Sequence, residues 1–175
     1  MTDISTLETV AEIGVALAGF AGIVATFQFR QNTAPTAGEI VALTIIVNMG
    51  LSVAAFSYLP ILALSYTSNE GIVWSISSSL LAVYMSYMMY FIHSNLRGKV
   101  KKTSARLLFT LFQLVGILIV ISLISNALNI GIERGLPAYL TALVYGAYLV
   151  GMNFMRLLLL PIWKQFRASE ASNDT

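Results

Sequence analysis

The sequence predicts an all-α integral membrane protein, a bundle of five transmembrane helices with the N-terminus outside and the C-terminus cytoplasmic. Three observations carry this. Of the 175 residues, 57% are hydrophobic and only 10% are charged, more apolar surface than a water-soluble domain of this size can cover. Five apolar segments approach or exceed the roughly 20 residues that a bilayer core requires. The basic residues fall almost wholly on alternate connections between those segments, as the positive-inside rule demands. Backbone groups cannot go unpaired in lipid, so spans of this composition are expected to be helices.

The first ten residues, MTDISTLETV, run into the first span, Thr9–Phe29, and hold two acids and no Lys or Arg. A secretory signal wants a basic start, so this helix is expected in the mature protein. Helical spacing puts Ile13, Leu17, Phe20, Val24 and Phe27 on one side. Gly14, Ala18, Ala21 and Ala25 share a second side, and Glu12, Ala16 and Gly19 a third. Small residues let membrane helices approach closely, which makes Gly14, Ala18, Gly19 and Gly22 candidates for helix packing. A glycine-lined site admitting an ion or ligand is the sharper alternative. Glu12 lies about one turn below the outer surface. It is exposed at the interface, or pairs with Arg134 in an outer loop, or joins a ring of carboxylates at the outer mouth of an oligomer.

The second span, Glu39–Tyr66, carries a short polar stripe of Thr44, Asn48, Ser52 and Ala55. Pro60 should bend it or weaken its last turns. In the third span, Gly71–His93, the residues Ser75, Ser79, Ala82, Ser86, Tyr90 and His93 step by three or four and share one side. That stripe reads either as a tight helix seam or as the wall of a watery path. The fourth span, Ala105–Leu128, holds Gln113 and, at its outer end, Ser122 and Asn126, with Asn129 just beyond. The fifth, Leu136–Trp163, begins with Pro137 in its first turn, where a missing N–H does no harm.

Arg156 lies roughly 11 Å inside the inner end of the fifth span at the helical rise of about 1.5 Å per residue. An arginine at mid-bilayer costs about 2.5–3.5 kcal/mol, so it should face protein or water, or snorkel to the surface. Counting inward, Asn48, Gln113, Asn153 and Tyr87 reach a similar level. With Ser75, Ser79, Ser86 and Arg156 they form a candidate pore lining or polar layer. Glu12 is more than ~10 Å away along the axis, too far for a direct pair with Arg156.

Alternating spans give one side Arg30, Arg97, Lys99, Lys101, Lys102, Arg106, Lys164 and Arg167, and the other only Arg134. The basic loop 94–104 and the polar tail 164–175 are therefore expected in the cytoplasm. Trp74 then falls at the outer interface and Trp163 at the inner one. With no soluble part of any size, residues 1–175 read as one transmembrane domain.

Several chemistries find no support. The chain has no cysteine and one histidine, His93, which leaves no metal-binding spacing, and no cofactor is implied. The glycines of GVALAGFAG follow no strand, so they do not form a nucleotide loop. No acid pair or nucleophile–base set stands in register, so an enzyme is not expected. The net charge of +2 is too small to imply a nucleic-acid partner, though RGKVKK suits anionic headgroups or a topology signal.

EIGVALAGFAGIV, Glu12–Val24, resembles the opening helix of uncharacterised small bacterial integral membrane proteins in which an acid precedes an A-G-F-x-G run. The resemblance covers one helix. It implies a bacterial source and the inner membrane, and it carries over no activity and no functional residue. The function expected is an oligomeric pore or channel-like protein passing ions or small solutes. A non-conducting scaffold or accessory subunit, docking a protein through the basic cytoplasmic loop, is the alternative. The bilayer and further copies of the chain are the expected partners in either case.

Overall fold

The structure is a computed structural model that describes the backbone of residues 2–29, 37–96, 103–131 and 133–173. Side chains are described over 4–26, 39–95, 106–131 and 133–159. Most of the basic loop, 97–102, lies outside the described residues.

The described residues form five helices: α1 (Thr2–Phe29), α2 (Ala37–Tyr66), α3 (Glu70–Leu96), α4 (Thr103–Leu128) and α5 (Leu136–Asn173). Each contains a stretch long and apolar enough to cross a membrane, which marks an integral membrane protein. The helices outrun the spans read from hydropathy, most clearly at the two chain ends. α1 already begins at Thr2 and α5 continues to Asn173. Hydropathy stops where residues turn polar, but a helix stops only at a breaker or cap. Neither TDISTLE nor KQFRASEASN contains glycine or proline.

The chain divides into two compact units. The first comprises Met1–Tyr58 and Val144–Thr175, the second Leu59–Leu143. In the first unit, α1 buries Leu7, Ala11, Gly14, Ala18, Ala21 and Ala25, alternating steps of three and four that keep one stripe facing inward. Opposite lie the buried Gly50, Val53 and Ala54 of α2. The contact is backbone to backbone. A Cβ on Gly14 would sit 2.6 Å from the Gly50 carbonyl oxygen, and one on Gly50 would sit 2.8 Å from that of Gly14. Gly146 of α5 approaches Val53 so closely that a Cβ would lie 3.0 Å from Cγ2.

In the second unit, α3 packs against α4. Asn69 caps α3, its Oδ1 accepting the Ile72 N–H at 3.2 Å. α4 ends where Asn129 takes a left-handed φ of 59° and the Ile130 N–H reaches back to the Ser125 carbonyl at 3.0 Å, the bond of a Schellman cap. Pro60, within α2, does not end that helix, which runs on to Tyr66. The boundary between the units falls beside it, where α2 lacks one backbone donor.

Candidate functional site

Among the described residues of the second unit, a polar cluster forms where α3 begins, α4 finishes and α5 begins. A helix end leaves its last carbonyls without partners, and in an apolar surrounding each must be satisfied. Arg134 does this for α4. Its Nε donates to the Asn126 carbonyl at 3.3 Å and its Nη2 to the Ala127 carbonyl at 2.9 Å. Its Nη1 reaches across to the Gly71 carbonyl of α3 at 3.3 Å. Ser75 Oγ also donates to the Ala127 carbonyl, at 2.7 Å.

Asn126 is wholly buried and completes the cluster. Its amide nitrogen donates to Ser78 Oγ at 2.8 Å and to the Gly135 carbonyl at 3.0 Å. Its Oδ1 accepts the Gly135 N–H at 2.9 Å. One side chain thus joins α3, α4 and the entry to α5. Beside it, Trp74 meets the buried Tyr139 edge to face, the ring centroids 5.8 Å apart. Every described buried side-chain nitrogen or oxygen has a partner, so the buried part of the cluster is internally satisfied.

The candidate polar layer is arranged differently from this joint. Ser79 and Ser86 are exposed, and each donates to its own helix, at the Ser75 and Ala82 carbonyls, both at 2.8 Å. Asn153 does the same with the Leu149 carbonyl at 2.8 Å. Gln113 extends from α4 toward the Met89 carbonyl of α3 at 3.5 Å. Asn48 and Tyr87 are exposed. Ser75 belongs to the joint. Within the second unit, then, the fully buried serines of α3 are Ser77 and Ser78, beside the stripe read along that helix.

In the first unit, Gly14 and Ala18 lie in the α1–α2 contact. Gly19 and Gly22 face open space instead, and a methyl group on either would meet none of the described residues within 4 Å. Ser5, Glu8, Glu12, Ala16, Gly19, Ile23 and Thr26 form one continuous exposed face of α1. It lies opposite the buried stripe. Among the described residues neither Glu12 nor Arg156 has a hydrogen-bond or ion-pair partner, and both are exposed. The guanidinium of Arg134, offered by the sequence as a partner for Glu12, donates to the three carbonyls.

Comparison with known protein families, with curated proteins and with solved structures finds no match. The joint is only half visible in the sequence. Asn126 stands out as a polar residue near the end of an apolar span, but its partners are a serine outside the α3 stripe and backbone groups of a glycine.

Proposed function

We propose that the chain works as a homo-oligomeric, channel-like membrane protein passing ions or small solutes, with α1 facing the path. The observation that carries this reading is Glu12, an exposed carboxylate within a membrane span that has no partner among the described residues. Lipid is a poor surrounding for such a group. Water in a passage between copies supplies what lipid does not. Below Glu12 on the same face, Ala16 and Gly19 leave room for a passage, since nothing described of this chain stands against Gly19.

The proposed orientation places the N-terminus outside and the tail in the cytoplasm, on the strength of the basic residues. Copies arranged around the path then present a ring of Glu12 carboxylates at the outer mouth. Such a ring concentrates cations, by about tenfold or more where low-dielectric walls focus the field. The bacterial inner membrane is the proposed location.

Purified protein reconstituted in liposomes tests the reading. Cation flux is expected, and Glu12→Gln should lower it roughly tenfold at low ionic strength and less at high salt, where the charge is screened. No flux in repeated preparations, together with a protein that co-purifies from native membrane, would replace it with the accessory-subunit reading.

A further inference from the structure

We propose that the face of α5 around Arg156 binds the headgroup phosphate of anionic phospholipids. This does not rest on the pore reading, because the α1 face and the α5 face carry separate observations.

Arg156 is exposed, and no described residue hydrogen-bonds or ion-pairs with it. Around it, Met152 is 41%, Met155 53% and Leu159 42% exposed, while the half-buried Asn153 is turned to the Leu149 carbonyl of its own helix. A water-lined wall would carry polar groups at those positions. Met152, Met155 and Leu159 instead make a surface suited to acyl chains, interrupted by one fixed cation. Guanidinium keeps its charge in any protein setting, so in this surface it must find an anion or reach water. Phosphate matches it best, through paired N–H···O bonds.

The course of α5 sets the distance from Arg156 to the headgroup level. The helix runs without a break from Leu136 to Asn173, past the apolar stretch that ends at Leu159 among the described residues. Its backbone therefore sets Trp163 and Arg167 seven and eleven residues beyond Arg156, in nearly the same register. Tryptophan at that position belongs at the interface of a bilayer, and a second arginine in phase marks the charged side of that interface. Arg156 then sits roughly 10 Å below the Trp163 level along the axis, more than its side chain spans alone, so a bound headgroup phosphate is drawn down toward it as the bilayer thins locally.

Native mass spectrometry of the full chain in detergent, titrated with phosphatidylglycerol or phosphatidylcholine, reads this directly. The wild-type chain should retain phosphatidylglycerol over phosphatidylcholine. Arg156→Gln should cut the retained phosphatidylglycerol by about fivefold, the factor one basic residue contributes at an anionic surface. Arg156→Lys should recover part of it, and inorganic phosphate alone should not compete. If Arg156→Gln fails to give a monodisperse protein, Arg167→Gln takes its place and should lower retention to a smaller extent. Equal phosphatidylglycerol retention by wild type and variant would overturn the proposal. So would loss of an oligomer with lipid per chain unchanged, which assigns the face to a second copy, or competition by phosphate alone, which assigns it to a soluble anion.

Discussion

Gly14 and Gly19 stand five positions apart on α1 and differ in everything but identity. A methyl group on Gly14 would meet the Gly50 carbonyl oxygen at 2.6 Å, and that oxygen belongs to a backbone that cannot rotate away. Gly14→Ala must push α1 and α2 apart, and it should cost about 1–3 kcal/mol, the usual range for overpacking. Gly19→Ala meets none of the described residues within 4 Å and should leave stability unchanged or slightly raised, given alanine's better helix propensity. Thermal unfolding of both variants in detergent checks the contrast. Equal Tm losses would mean that the contact does not control stability. Arg134 is the other residue whose environment decides its weight. Arg134→Gln strips charged donors from the Asn126, Ala127 and Gly71 carbonyls. Hydrogen bonds to charged groups are worth about 1.5–3 kcal/mol, and a loss in that range should appear in denaturant titration of the detergent-solubilised protein.

At the scale of a helix, α4 turns the soluble-protein pattern inside out. Only 11% of its apolar stretch is buried, less than for any other span, so its large side chains are the outside. Leu111, Leu114, Leu118, Ile121 and Ile124 are exposed, while Asn126 is wholly buried. Lipid is as apolar as leucine, so no hydrophobic force drives those side chains inward, and polar contacts and close packing hold the helix instead. Asn126→Ala removes three hydrogen bonds. At about 0.6 kcal/mol for an average interhelical bond in a membrane, it should destabilise the second unit by roughly 2 kcal/mol. Leu118→Ala, at 65% exposed, should change stability by no more than about 0.5 kcal/mol. Urea or SDS unfolding that ranked Leu118 above Asn126 would refute this account of α4.

For the whole molecule, orientation is the property most directly open to measurement. The chain contains no cysteine, so a single introduced thiol reports its own accessibility. Ser5→Cys should react with an impermeant maleimide added to intact cells. Ser172→Cys should react only after the membrane is opened, if the basic residues set the orientation proposed. The reverse pattern would invert the topology and move Glu12 to the cytoplasmic mouth.

Sequence alone determined that the chain is a set of five membrane-length helices, because a bilayer rewards apolar length and punishes unpaired backbone, and both are written in residue order. It also marked Gly14 and Ala18 for packing, since smallness at helical spacing needs no partner to be recognised. It did not separate them from Gly19 and Gly22, which are just as small. Which side of α1 meets α2 is settled by the opposing glycine, Gly50, and only the fold brings that residue up. The same holds for Arg134. A carboxylate such as Glu12 can be named as its partner from the residue order. A backbone carbonyl has no letter of its own in a sequence, so three of them gathered around one guanidinium could not be foreseen. Tertiary structure decided the pairing because the unsatisfied carbonyls at a helix end attract a guanidinium through short bonds that only the folded chain assembles.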